Sequence, residues 1–295
     1  NIYSKEWTVV NNEKINISII QPNITNKLSY TKKDIQLNME TLNSLSLKSL
    51  GNNPDIILWS EAPLPLIYSN IKNSYYKNIL EMIPSSTTLV SGSFSGNDKA
   101  IFNSLINITD SKNIYHKKHL VPFGEYLPYR DSLLFFYSAL GIDILDISKG
   151  ESLHAIGINN YLAHSLICYE SIFSKDSLIK NPNIDFIINV TNDGWFGNSL
   201  APIQHLDALR MRSLENQRYS VRAANGGISA FISPYGDIIE YLSYGKKGIL
   251  NYNIYPVNGL TPISQYGYNI LYIFIFFIFL YSTIYYNFNV FKRKN

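Results

Sequence analysis

The chain has 295 residues, 46% apolar and 14% aromatic, a composition that excludes a disordered protein and supplies a large core. Lys and Arg number 25 against 22 Asp and Glu, a net charge of +3, and the basic residues are dispersed apart from Lys292-Arg293-Lys294. No nucleic-acid partner is therefore expected, and a single cysteine, Cys168, excludes an internal disulfide framework or a multi-cysteine metal site.

In chain order, residues 15–20 (INISII) read as a first strand. Residues 31–50 carry a helical period that Gly51 ends, and residues 55–59 (DIILW) are a short run of buried-strand type. Residues 69–83 are expected to be helical up to Pro84. Residues 88–91 and 100–108 read as strands around a turn holding Gly92 and Gly96. Residues 161–167 and 185–190 read as strands with a helix near 171–180 between them. A long Arg-rich helix is expected over 203–223, then strands at 228–233 and 248–254 around a Pro234-Tyr235-Gly236-Asp237 turn. Strands alternating with helices predict one α/β domain over residues 12–258, after a short lead-in at 1–11.

No charged residue occurs between Lys247 and Lys292. Within that stretch residues 266–291 reach the ~20 apolar residues that cross a bilayer core, and the reading is a transmembrane helix. Tyr266, Tyr268, Tyr285 and Tyr286 form its interfacial belts, and the tail 292–295 its positive-inside anchor. The alternative is a buried core segment. A basic tail held in the cytoplasm places the domain on the opposite face of the membrane. The first residues hold no hydrophobic export segment, so either the orientation is reversed or export elements lie upstream of Asn1, and the second is the expectation.

Three groups that can carry chemistry each follow a strand-like run: Glu61 after Ile56–Ser60, Lys117 after Ile114–His116, and Cys168 after Leu162–Ile167. Side chains at strand C-terminal ends converge on the crevice of open α/β folds. A carboxylate that takes a thiol proton, a thiolate that attacks a carbonyl and an ammonium that stabilises the oxyanion form a coherent set. Each also has an ordinary structural alternative: a small buried hydrophobe, a helix-start acid, a surface charge. His164, four strand residues before Cys168, lies roughly 13 Å from it and cannot be its base. His116 and His119 lack a third ligand nearby, so no metal is expected, and His205 reads as structural.

The wording around these residues is specific. Trp59-Ser60-Glu61-Ala62-Pro63, the run Tyr115 to Glu125 (YHKKHLVPFGE) and Ile167-Cys168-Tyr169-Glu170 resemble the three signature segments of the nitrilase, or carbon–nitrogen hydrolase, superfamily. More narrowly, the chain is similar to the apolipoprotein N-acyltransferase family over residues 12–290. Further matches are residues 191–197 (TNDGWFG), Gln204-His205, Arg210, Arg212, Glu215, Arg222 and residues 225–228.

The resemblance implies an αββα sandwich and a triad of Glu61 as proton acceptor, Lys117 as oxyanion stabiliser and Cys168 as nucleophile. Glu125, Tyr169 and Glu170 are then supporting residues. The implied reaction carries an acyl group from a phospholipid, through a thioester, to the diacylglyceryl-cysteine amine of an apolipoprotein, with no cofactor. It implies the bacterial inner membrane, the catalytic domain on the periplasmic side, and membrane helices ahead of the domain. An amidase or nitrilase using the same triad with water is the alternative; a tethered binding domain with a degenerate site is disfavoured by the complete triad. The apolar run Leu133, Leu134, Phe135, Phe136, Tyr137, directly after Glu125, is expected to form a lipid-contacting flap together with Trp195, against the alternative of a buried strand.

Overall fold

The computed structural model describes residues 6–27, 29–97, 99–139, 146–151, 154–197 and 199–294; the side chains at 131, 136, 138, 139, 270 and 287–294 lie outside that description. The strands are β1 (Thr8–Val10), β2 (Ile15–Gln21), β3 (Ile56–Trp59), β4 (Thr88–Asn97), β5 (Ala100–Asn107), β6 (Ile114–His116), β7 (Ala155–Ile158), β8 (Tyr161–Ile167), β9 (Phe186–Asn192), β10 (Ser220–Asn225), β11 (Ser229–Ile232), β12 (Ile238–Leu242), β13 (Gly248–Ile254) and β14 (Val257–Gly259). The helices are α1 (Lys32–Ser49), α2 (Tyr68–Ile71), α3 (Lys77–Met82), α4 (Arg130–Ala139), α5 (Ser174–Ser177), α6 (Ala201–Asn216), α7 (Pro262–Tyr266) and α8 (Asn269–Lys294).

Two six-stranded sheets, ordered β13-β2-β3-β4-β5-β6 and β12-β11-β10-β9-β8-β7, form the centre, and β1 pairs with β14. Each sheet has a parallel middle, β2-β3-β4 in the first and β8-β9-β10 in the second, flanked by antiparallel strands. Parallel strands are covered on both faces, and the sequence shows why they can be. Along β3, Ile56 and Leu58 face the other sheet while Ile57 and Trp59 face helices. Ile15, Ile17, Ile19, Val90 and Leu105 meet Ala163, Ile167, Phe186, Ile188 and Val221 between the sheets. The outer face of the first sheet packs on Leu42 of α1 and on Tyr75, Tyr76 and Ile79. The outer face of the second packs on Leu206 and Leu209 of α6. The layering is αββα.

Several expectations are corrected. The helix expected over 203–223 ends at Asn216, because Gln217 adopts the left-handed conformation (φ 46°) and turns the chain; residues 220–225 are a fully buried strand instead. Helix C-termini favour glycine at such a position, so a glutamine there gave no stop signal. Gly92 and Gly96 lie within β4, not in a turn. The helix expected near 171–180 is reduced to a 3₁₀ turn, Cys168–Ile172, and the one-turn α5. A π turn, Lys72–Tyr76, interrupts the helix expected over 69–83.

The expected flap is helical over α4. Leu134 and Phe135 are 53% and 80% exposed and Leu133 is at the margin of exposure, whereas Tyr137 is buried with its hydroxyl donating to Pro128 O at 2.9 Å. That run is therefore not a buried strand. The Phe136 side chain and residues 140–145 of the same segment lie outside the described residues. The C-terminal segment is also helical, as α8, and the described large apolar side chains from Leu271 to Tyr286 are exposed. Among the described residues no helix is long and apolar enough to cross a membrane; the described side chains of α8 are those at 269 and 271–286.

Candidate active site

Glu61, Lys117 and Glu125 converge at one end of the first sheet. Glu61 follows β3 on a turn in which Ala62 takes φ 36°. β4 passes so close to that turn that a Cβ on Gly92 would lie 2.6 Å from the Glu61 Cα, and the Gly92 N–H bonds Ser60 O at 3.2 Å. Gly92 is thus required by close backbone approach. Lys117 leaves β6 with its N–H on Asn103 O and its carbonyl on Gly150 N, both at 2.8 Å. The chain then folds back through residues 121–126, where Glu125 N donates to Val121 O at 2.9 Å and Val121 N to Glu125 Oε2 at 2.8 Å.

This folding puts Lys117 Nζ 2.9 Å from Glu125 Oε1 and 3.7 Å from Glu61 Oε1. Asn103, on β5, donates its single amide nitrogen to both carboxylates, at 2.7 Å to Glu61 and 2.9 Å to Glu125. From the other sheet, the Asn192 backbone N–H reaches Glu61 Oε2 at 2.7 Å. All three ionisable side chains are shielded from water. Burial raises the Glu61 carboxyl above its usual range, against the pull of the Lys117 charge. Burial alone lowers the Lys117 ammonium, yet the Glu61 and Glu125 carboxylates outweigh it, so that group stays firmly protonated.

Cys168 follows β8 and opens the 3₁₀ turn in the left-handed conformation (φ 51°), rare for a residue with a Cβ. Burial first, and then the Glu61 charge, push its thiol up to about 12, while Lys117 pulls it down. The thiol is accordingly neutral at rest, and thiolate can form only as its proton moves to a base. Glu170 ties the Cys168 turn to the Lys117 segment. Its Oε2 accepts from Ile167 N at 2.7 Å, and its Oε1 from Lys118 N at 2.7 Å, His119 N at 3.1 Å and the Tyr115 hydroxyl at 2.8 Å. Tyr169 and Trp195 sit exposed, the latter on the turn Asp193–Phe196 after β9.

His116 and His119 do not converge: Nδ1 of the first meets Ser104 Oγ at 2.7 Å and Nδ1 of the second Asp176 Oδ2 at 2.8 Å. Among the described residues no three His, Cys, Asp or Glu side chains form a metal-ligand set. Asn103 is not singled out in the sequence; Asn192, Asp193, His205 and Arg222 stand there only among the matches to the family, with His205 read as structural. Asparagine is abundant along the chain, so Asn103 and Asn192 carry no local signal of their own.

The sequence profile described as carbon-nitrogen hydrolase matches residues 16–257. The chain belongs to the carbon-nitrogen hydrolase family. Solved structures of the family share the fold: a CN-hydrolase superfamily protein of Xanthomonas campestris at TM-score 0.58 and 14% identity, covering 82% of this chain and 91% of that one. A nitrilase-superfamily protein of Saccharomyces cerevisiae reaches TM-score 0.60 at 15% identity, covering 85% and 93%. Among curated proteins, an apolipoprotein N-acyltransferase of Wigglesworthia glossinidia brevipalpis is 32% identical over 89% of this chain and 54% of its own length. The apolipoprotein N-acyltransferase of Coxiella burnetii is 30% identical over 93% and 58%. The chain spans about half the length of the curated relatives it matches.

Proposed function

We propose that the chain is the catalytic part of a membrane-bound acyltransferase that carries its acyl group as a thioester on Cys168. Glu61 takes the thiol proton as Sγ attacks the ester carbonyl of a phospholipid, and the Lys117 ammonium stabilises the oxyanion. The C–O bond breaks, and Glu61 returns the proton to the departing lysophospholipid oxygen. In the second half-reaction the uncharged amine of a diacylglyceryl-cysteine, at the N-terminus of an apolipoprotein, attacks the thioester. The C–S bond breaks, Glu61 relays the amine proton to the sulfur, and the free thiol is restored. Glu125 holds Lys117 at its post, and Glu170 holds the two catalytic segments in register. No metal or cofactor takes part.

The observation that carries this reading is one buried ammonium gripped by two carboxylates beside a thiol at a strand end. Its lipid side draws on the exposed apolar side chains of α8, on Leu133, Leu134 and Phe135 of α4, and on Phe123 and Trp195 at the rim. In this reading α8 crosses the bacterial inner membrane with Lys292-Arg293-Lys294 in the cytoplasm, and the αββα domain stands on the periplasmic face. The relatives named apolipoprotein N-acyltransferase support the choice of acceptor.

The test is an assay of the full chain in membranes with a phospholipid and a diacylated lipopeptide. The expected result is a lipopeptide heavier by one acyl group, a transient acyl thioester on Cys168 by intact mass, and loss of both in Cys168→Ser. Acylation at another residue, or cleavage of simple amides with no transfer to the lipopeptide, overturns the reading; the latter result favours the amidase.

A further inference from the structure

A second buried cluster lies next to Cys168, and the chemistry above makes no use of it. Asp193 and Arg222, both fully buried, pair through Oδ2 and Nη2 at 2.6 Å. Arg222 also donates to Asn189 Oδ1 and, from Nε, to Ile228 O at 3.2 Å. The remaining oxygen of Asp193, Oδ1, accepts from the Thr191 hydroxyl at 2.9 Å and faces His205 Nδ1 at 3.0 Å. The other ring nitrogen of His205, Nε2, lies 2.8 Å from the backbone carbonyl oxygen of Cys168.

The two partners fix the protons of this ring. A carbonyl oxygen only accepts, so Nε2 carries hydrogen. Burial favours a neutral Asp193, but the Arg222 guanidinium, paired with it at 2.6 Å, is the largest opposing cause, and the carboxyl lies down at about 2. An ionised carboxylate also only accepts, so Nδ1 carries hydrogen as well. An imidazole with hydrogen on both nitrogens is a cation.

The contact falls on a backbone that needs holding. Cys168 occupies the left-handed region, where a side chain is strained unless its surroundings fix it. Two other donors approach its carbonyl, Ser171 Oγ at 3.3 Å and Asn189 Nδ2 at 3.5 Å, and both are longer than the His205 bond. A charge-assisted bond is roughly twice as strong as a neutral one.

We propose that His205 is a positioning residue, an imidazolium clamped between Asp193 and the Cys168 carbonyl, which locks the left-handed elbow and so sets the direction of the nucleophile. This rests on the reading of Cys168 as nucleophile. The charged groups facing the ring are Asp193 from the turn after β9 and, through it, Arg222 from β10.

The test uses the full chain in detergent micelles, labelled with ¹⁵N-histidine, and the pair His205→Asn and His205→Gln. An Asn amide replaces Nδ1 and keeps the bond to Asp193 but gives up the carbonyl; a Gln amide reaches the carbonyl and gives up Asp193. At neutral pH the wild type is expected to show one histidine with both ring nitrogens at protonated shifts, a signal that both variants lack. Single-turnover acylation of Cys168 by a short water-soluble thioester is followed by intact mass. In it the Sγ–acyl bond forms, the donor C–S bond breaks, and the thiol proton ends on the departing thiol. His205→Asn is expected to lose ~10²-fold in rate at saturating donor with half-saturation unchanged, and His205→Gln ~10-fold or less, the scale of a small misplacement.

An unprotonated ring nitrogen at His205 overturns the proposal. So does an Asn variant that acylates at the wild-type rate, or equal losses in both variants that track their melting temperatures. If His205→Asn fails to fold, the Gln variant and the nitrogen shifts decide. If the wild type takes no acyl group on Cys168, the functional reading fails, and the shifts still report on the clamp.

Discussion

The molecule holds two buried ionic clusters at the same end of its sandwich, one per sheet, and they differ in charge balance. On the first sheet two carboxylates, Glu61 and Glu125, share one ammonium, Lys117, and one amide, Asn103. On the second sheet one carboxylate, Asp193, meets Arg222, His205 and the Thr191 hydroxyl, two of them on Oδ1 and one on Oδ2. The first cluster holds more carboxylates than cations beside a neutral thiol, the balance that the proposed general base requires. The second is closed, and a closed buried network serves geometry better than proton transfer. Burial and partner count therefore do not separate the two carboxylates; the ratio of carboxylates to cations does.

The comparison breaks first at the two carboxylates. Glu61→Gln keeps the volume and the Asn192 contact, so it is expected to fold normally and to lose at least ~10²-fold in acylation rate, the scale of a general base. Asp193→Asn or Arg222→Met is expected to cost about 3–5 kcal/mol of stability by leaving a buried charge unpaired, read from chemical denaturation. A Glu61→Gln that melts early while retaining its rate would reverse the assignment of the two clusters.

Gly92→Ala tests the backbone that presents Glu61. A Cβ 2.6 Å from the Glu61 Cα forces that turn aside, and a rate loss of ~10²-fold is expected with a stability loss of about 1–3 kcal/mol. Wild-type rate in this variant would show that the Glu61 turn tolerates displacement.

Acid sharpens the contrast. The Asp193 carboxyl lies at about 2 in the fold, below its ordinary 3.8, so the folded state binds fewer protons than the unfolded chain across that interval. Its stabilisation is present above about 3.8 and is lost as pH falls towards 2. His164, buried in β8 with its ring pulled down to about 3, acts in the same sense at higher pH: stability falls as pH drops from 6.5 towards 3. Glu61, raised in the fold, has the opposite sign: it stabilises below its unfolded value of 4.5 and that contribution fades as pH rises through its folded value. Denaturation midpoints against pH should therefore decline from near neutrality downwards, and His164→Leu should flatten the upper part of that decline. An unchanged slope would remove His164 as a cause.

The smallest effect is expected at the rim. Leu134→Ser with Phe135→Ser removes exposed apolar surface from α4 and should lower activity on phospholipid several-fold while sparing a short soluble donor. Equal losses on both donors would detach α4 from lipid handling.

Much of this was legible in the chain. Short runs rich in apolar residues at 15–20, 56–59 and 162–167 mark strands of the buried kind, and positions just past a strand's C-terminal end face the crevice of an open α/β fold. The placing of Glu61, Lys117 and Cys168 just past strands is therefore readable from local pattern, as is the helical C-terminal segment, while their joint role rests on the family resemblance. The sequence could not reveal which polar residues complete the site. Asn192 bonds Glu61 across 131 positions, and His205 reaches Cys168 across 37. Arg222 reads as one more helix arginine until Gln217 turns the chain left-handed and starts β10. Local period and composition fix which way a strand or helix must face, because that depends on near neighbours. Which buried donor meets which acceptor depends on how two sheets stack, and only the tertiary structure decides it.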